Sequence, residues 1–223
     1  MRRIINLLGF LLGCACIIAA ICLLSGPAWE LYGTNIVAGP EQDSLVKTFE
    51  SETAMVDAPV TGELSEEGAD TVPAVDLHYG EMFGELRIPR FGDDYAKPLL
   101  EATDEATLKQ GVGHYIGTAG PCQIGNFAIA AHRTTYGAAF RDVEQLKEGD
   151  EIFVKTQLVN CTYVVESFEI VDPSEVSVIA AVPGQPGVKP SEAYLTITTC
   201  HPMYSAHERY VVHARLVDAT VEP

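Results

Sequence analysis

Three side chains that could carry chemistry lie at the ends of predicted β-strands. In the β-rich run that ends at Cys200, Leu195 and Ile197 share one face, while Cys200 shares the other with a tyrosine and two threonines. The run that ends at His132 alternates bulky and small residues, and the run after Cys200 begins at Arg209. The pattern predicts that the three polar groups point away from the bulky apolar faces.

A thiol, an imidazole and a guanidinium together suit acyl transfer by a cysteine. The thiolate attacks a carbonyl, the imidazole handles the leaving-group proton, and a fixed cation stabilises the developing oxyanion. Each residue has an ordinary alternative: Cys200 as a small buried hydrophobe, His132 as a hydrogen-bonded surface histidine, and Arg209 as a solvated charge. The three side chains all point away from the bulky apolar faces, which favours a catalytic role for them, but this orientation does not identify a reaction.

A binding module or metal site is a rival interpretation, with Cys200, His201 and His132 as ligands. Neighbouring residues of a strand project to opposite faces, so Cys200 and His201 are poorly arranged to bind one ion. We therefore predict neither a metal nor a cofactor. Stoichiometric zinc in the purified protein would overturn this prediction.

Several segments in the same order resemble one enzyme family. Residues 196–202, with Arg209 nine positions beyond Cys200, are similar to the active-site signature of sortases, which anchor surface proteins to Gram-positive cell walls. Residues 131–138 resemble the sortase histidine segment in the form with a tyrosine, Tyr136, that is typical of class E. Residues 86–92 and 111–115 extend the resemblance.

The resemblance implies a fold and a set of roles. The fold is mainly β, a closed eight-stranded sortase-type barrel with a few short helices. His132 becomes the proton donor and acceptor, Cys200 the nucleophile, and Arg209 the group that stabilises the oxyanion. Four further residues in the same segments are implied to bind substrate: Thr135, Tyr136, Thr198 and Thr199.

The function implied by the resemblance is that of a membrane-anchored cysteine transpeptidase. Its partners would be surface proteins with a C-terminal sorting signal, Leu-Pro-x-Thr-Gly or Leu-Ala-x-Thr-Gly, cleaved between Thr and Gly. The acyl group would pass to an amine of a peptidoglycan precursor. Two alternatives stay open: a pilus-assembling enzyme that uses a pilin lysine, and a hydrolytic cysteine peptidase of the same fold that uses water.

Charge and hydropathy divide the chain. Its 223 residues carry a net charge of −17 without a basic stripe, which argues against a nucleic-acid partner.

The uncharged run from Ile4 to Leu24 would span roughly 30 Å as a helix, the thickness of a bilayer core. We predict a single-pass anchor over residues 1–25 with Arg2 and Arg3 in the cytoplasm and the catalytic domain outside the cell.

Residues 26–80 are acidic and contain few large apolar side chains. Such a segment buries too little surface to offset the entropy of ordering, so we predict a flexible linker. A lid over the active site is the alternative. The catalytic domain is predicted over residues 81–220, with a short helix over 103–111 that Thr103 caps and a loop over 182–191 beside the substrate groove.

Cys122 and Cys161 are the two cysteines outside the apolar run besides Cys200. They could pair outside the cell, but sequence does not show whether their Cα atoms approach closely enough. We therefore predict two separate buried thiols. His114 is predicted to be a structural histidine in a loop.

Overall fold

A computed structural model describes residues 2–56 and 72–222 of the chain. The N-terminal part is one long helical segment. Helix α1, Arg2–Ala28, continues through a π-helical turn, Trp29–Gly33, into α2, Thr34–Val56. Among the described residues, this segment is the one helix long and apolar enough to cross a membrane.

The remainder forms a closed barrel, which confirms the predicted fold class. Its strands follow one another in space as β1-β2-β3-β4-β7-β8-β6-β5. Strands β2 and β3 are parallel, as are β4 and β7, and the other neighbouring pairs are antiparallel. The bounds are β1 Met82–Arg87, β2 Ala96–Glu101, β3 Val112–His114, β4 Gly125–Ala130, β5 Glu151–Thr156, β6 Val159–Val171, β7 Ala193–His201 and β8 Glu208–Val221.

The barrel interior is filled by the bulky faces that the alternation predicts. Strands β4, β7 and β8 each send two apolar side chains into one buried cluster, because alternate residues of a strand point to opposite faces. These side chains are Phe127, Ile129, Leu195, Ile197, Val212 and Ala214. The residues between these positions, such as Ala128, Thr196 and His213, consequently face outwards, which is the face of the candidate site.

One short helix, α3 (Glu105–Gln110), lies near the predicted position, but its cap differs. The carboxylate of Asp104 accepts hydrogen bonds from the backbone N–H groups of Ala106 (2.9 Å) and Thr107 (3.3 Å), so Asp104 and not Thr103 caps the helix. His114 lies in β3 and not in a loop. Its Nδ1 is 2.6 Å from Glu101 Oε2, and both side chains are buried.

The prediction of two separate thiols is wrong, because Cys122 and Cys161 form a disulfide. Their Cα atoms lie 5.5 Å apart although the residues are 39 positions apart in sequence. Cys122 lies in the loop before β4, and Cys161 lies in β6. The two meet through the curvature of the barrel, which sequence spacing does not reveal.

A flexible linker is the wrong description of residues 34–56, where α2 packs against β1, β2 and α3. Its buried side chains recur every three or four residues, the period of a helix face. They are Thr34, Ala38, Gln42, Val46, Phe49 and Thr53. Three of these six buried side chains are polar, which explains why the sequence of this segment shows no clear apolar period. Residues 57–71 of the predicted linker and lid lie outside the described residues.

Candidate active site

Cys200 and Arg209 face each other across the last two strands. They are directly paired in the antiparallel ladder of β7 and β8. Cys200 is a partly exposed free thiol. The Nη1 of Arg209 donates to the carbonyl oxygens of Ala206, in the loop before β8, and of Glu208, the first residue of β8, each at 3.0 Å. These two carbonyls hold the guanidinium.

His132 reaches the same edge from β4. The parallel pairing of β4 with β7 runs as far as Ala130 opposite Thr198. Beyond the ladder, Thr199 Oγ1 donates to the carbonyl of Ala131 at 2.7 Å, and His132 follows directly. The structure therefore brings the three predicted catalytic residues to the ends of three adjacent strands.

Arg133 is a buried brace between two of these strand ends, and sequence analysis missed it. Its Nη1 donates to the carbonyl oxygen of Cys200 at 3.2 Å, and its Nη2 lies 2.8 Å from Glu144 Oε1. The side chain of Arg133 is only 1% exposed. Its hydrogen bond to Glu144 lowers the pKa of that carboxyl group, and Glu144 also contacts His201 Nδ1 at 3.3 Å.

The imidazole of His132 is partly buried. Its Nε2 atom is inaccessible to solvent and has no hydrogen-bond partner among residues 2–56 and 72–222. Burial lowers the pKa of His132, the nearby charge of Glu105 raises it, and that of Lys109 lowers it further. The net direction favours a neutral ring, which can accept a proton.

Tyr136 lies beside the histidine. The centroids of the Tyr136 and His132 rings are 5.2 Å apart. Lys109, on α3, has its Nζ atom 5.0 Å from the centroid of the Tyr136 ring. Thr135 precedes it in a turn in which Ala138 N donates to Thr135 O at 2.9 Å. The substrate-binding roles predicted for Thr135 and Tyr136 stay predictions.

Thr198 and Thr199 are buried and have partners inside the protein. Thr198 Oγ1 is 2.9 Å from the hydroxyl of Tyr115, and Thr199 Oγ1 is bound to Ala131 as described above. Their hydroxyl groups therefore connect elements around the site. Their substrate-binding role also stays a prediction.

The loop between β6 and β7 covers the outer faces of β4 and β7. The side-chain amide of Asn126 donates to the carbonyls of Val178 (3.2 Å) and Ala180 (3.0 Å). Further along this loop, residues 182–185 line a cavity of about 360 Å³ together with Tyr194 and His213. The segment thus forms one wall on the outer face of the strands that lead to Cys200.

Comparison with known proteins identifies the family of this barrel, which carries a cysteine, a histidine and an arginine at one edge. The family model described as "Sortase domain" matches residues 86–217. The chain therefore belongs to the sortase family of cysteine transpeptidases.

Individual relatives support the resemblance to class E. Sortase SrtE1 of Streptomyces coelicolor is 37% identical over 147 residues, which are 62% of this chain and 41% of that protein. Its solved structure, with a tripeptide in the active site, has a TM-score of 0.59 at 34% identity and covers 66% of this chain and 94% of that chain. The SrtA sortase from Actinomyces oris has a TM-score of 0.63 at 39% identity, with 68% and 89% covered. The chain thus spans less than half the length of SrtE1.

Proposed function

We propose that this protein is a membrane-anchored transpeptidase that cleaves a Leu-Pro-x-Thr-Gly or Leu-Ala-x-Thr-Gly sorting signal between Thr and Gly. The observation that supports it best is the convergence at one barrel edge of Cys200, paired with Arg209, and His132. In this proposal Cys200 is the nucleophile, His132 the proton carrier and Arg209 the cation beside the oxyanion.

The first half-reaction forms a thioester. His132, kept neutral because burial lowers its pKa, accepts the thiol proton as Cys200 Sγ attacks the Thr carbonyl carbon. The guanidinium of Arg209, oriented by its bonds to the Ala206 and Glu208 carbonyls, stabilises the negative oxygen. The Thr–Gly bond then breaks, and His132 gives its proton to the departing glycine amine.

The second half-reaction releases the product. The acceptor amine attacks the thioester carbon and gives a proton to His132, a new amide bond forms, and the Cys200 thiolate leaves and recovers that proton. Tyr136 is proposed to contact the peptide through its ring. Because the Thr198 and Thr199 hydroxyls already have internal partners, these two residues are proposed to contact the peptide through backbone or methyl groups. Thr135 is proposed to contact the peptide as well.

The proposed location is the outer face of the cell membrane, with the N-terminus in the cytoplasm. In the second half of α1, large apolar side chains such as Ile17, Ile21 and Leu23 are exposed, as a lipid-facing helix requires. The Cys122–Cys161 disulfide is independent support, since such bonds persist in oxidising surroundings outside the cytosol. Surface proteins with a sorting signal, and a peptidoglycan-precursor amine, are the proposed substrates.

Product analysis separates this function from the alternatives. The full chain in detergent is incubated with a sorting pentapeptide, first alone and then with a peptidoglycan-type amine or a lysine peptide. We expect the amine-linked product to exceed the free acid when the peptidoglycan-type amine is present. A yield of free acid unchanged by either amine would instead indicate a hydrolase, and preference for the lysine peptide would indicate a pilin acceptor.

A further inference from the structure

The loop that follows His132 has an unusual backbone. Three successive residues, Tyr136, Gly137 and Ala138, have φ angles of +50°, +81° and +45°. Residues with a side chain rarely occupy this left-handed region, and they persist there when the surrounding structure fixes them. The loop's own turn uses Ala138 N and Thr135 O, which leaves other backbone groups of the loop to be bound from elsewhere.

Helix α2 binds four of those backbone groups with three side chains. Asn35 binds one group before Tyr136 and one after it: its Nδ2 donates to Thr134 O at 2.9 Å, and its Oδ1 accepts from Gly137 N at 2.8 Å. Thr34 Oγ1 accepts from Tyr136 N at 3.2 Å, and Gln42 Nε2 donates to Tyr136 O at 2.8 Å. The loop is therefore hydrogen-bonded to a helix about 100 positions earlier in the chain.

Gln42 is the most buried of the three, at 1% exposed. Its Oε1 accepts a hydrogen bond from Lys97 Nζ at 3.3 Å, so both ends of the amide have partners. A Cβ added at Gly137 would lie only 2.4 Å from Gln42 Oε1. The helix thus touches the loop where the backbone has no side chain, and a buried amide at this point is costly to disturb.

The loop in turn carries the ring that packs on His132. Tyr136 is bound to α2 through both its N–H and its C=O, which fix the backbone from which its ring extends. The hydroxyl of the ring also donates to Glu30 Oε2 at 3.2 Å, in the π-helical turn that leads into α2. The ring lies 5.2 Å from the imidazole, between centroids. A shift of the loop would therefore change the packing and hydration of His132, while Cys200 and Arg209 would stay in their ladder.

From these contacts we infer that Gln42, Asn35 and Thr34 are positioning residues for the histidine side of the active site. The inference rests on the proposed catalytic role of His132. It makes α2 a working part of the site rather than a passive connection between the membrane anchor and the barrel.

The test replaces the polar ends of these side chains with apolar groups of similar shape, in the full-length chain. Gln42→Met and Thr34→Val remove three bonding atoms without adding charge, and Lys47→Ala, on the exposed face of the same helix, is the matched control. Circular dichroism verifies folding. We expect thioester formation to slow by about 10- to 100-fold in Gln42→Met, mainly through kcat, because misplacement of a reacting group acts on that constant.

A second readout does not depend on turnover. The pKa of His132, followed by NMR, should rise towards its ordinary value in Gln42→Met, because the loosened ring admits water while the neighbouring charges of Glu105 and Lys109 are unchanged. A smaller rise is expected in Thr34→Val and none in Lys47→Ala. Folded variants with wild-type acylation and a wild-type His132 pKa would overturn the inference. If the wild type forms no thioester, the proposed function fails, and the NMR titration still tests the positioning role.

Discussion

Cys200 and Arg209 lie within a continuous β-ladder, whereas His132 lies two residues beyond the end of β4, in a segment bound by α2. The ladder between β7 and β8 joins the first two residues through backbone hydrogen bonds. The path of the chain after His132 depends instead on side chains of an element outside the barrel. The barrel alone therefore fixes the nucleophile and cation, while the histidine side also needs the N-terminal helix.

The largest effect on catalysis should come from a residue in the ladder between β7 and β8. Arg209→Ala removes the cation beside the oxyanion, and we expect thioester formation to fall about 10²- to 10³-fold, with little change in unfolding midpoint because the side chain is partly exposed. The control is Arg215→Ala on the same strand, which removes a partly exposed pair with Glu166. Equal rates for the two variants would remove Arg209 from the proposed chemistry.

The disulfide should affect the stability of the barrel without affecting the site. Replacing both Cys122 and Cys161 by serine should lower the free energy of unfolding by about 2–4 kcal/mol, because a cross-link over a loop of this length restricts the unfolded chain. Acylation at a temperature where the variant is folded should match that of the wild type. Denaturant unfolding, with and without a reductant, measures the difference; an unfolding midpoint insensitive to reduction contradicts the assignment.

A variant of Arg133 tests the connection between the end of β7, which carries Cys200, and the segment after β4, which carries His132. Arg133→Met leaves the Cys200 carbonyl without its donor, and we expect a loss of about 2 kcal/mol in unfolding free energy. Arg90→Met, which breaks a partly exposed pair with Asp150, is the control and should cost less, about 1 kcal/mol. Urea unfolding of both variants measures these losses. A smaller loss for Arg133→Met than for Arg90→Met would show that the brace does not join the strand ends.

The smallest effect concerns the charges around His132. Because Lys109 lowers the pKa of His132 and Glu105 raises it, Lys109→Met should raise that pKa and Glu105→Gln should lower it. The base form of His132 is needed for attack, so the acidic limb of the kcat/KM profile should move to higher pH in Lys109→Met and to lower pH in Glu105→Gln. Movement of both variants in the same direction would contradict this arrangement.

The strand faces could be predicted from sequence because they depend on local alternation. The apolar side chains Leu195 and Ile197 point into the barrel core and leave Cys200 on the other face. The sheet pairing then brings Arg209 opposite Cys200. The resemblance to sortases added the identity of the barrel, which alternation by itself does not specify.

The parts that sequence analysis missed depend on contacts between distant segments. The buried face of α2 mixes Thr34 and Gln42 with apolar residues, and these polar side chains bind backbone groups of the loop after His132, 94 to 102 positions further along the chain. Arg133 looks like an ordinary charge until the turn that contains Glu144 encloses it. In each case the polar partner is known only once the barrel is closed.

The most direct test of the central claim is to locate the acyl group. Full-length protein is mixed with a sorting pentapeptide without an acceptor, trapped in acid and analysed by peptide mass spectrometry. We predict one acyl adduct on Cys200 and none on the other free cysteines, Cys14, Cys16 and Cys22, and no adduct in Cys200→Ala. An adduct that persists in Cys200→Ala, or that maps to another residue, would contradict the account.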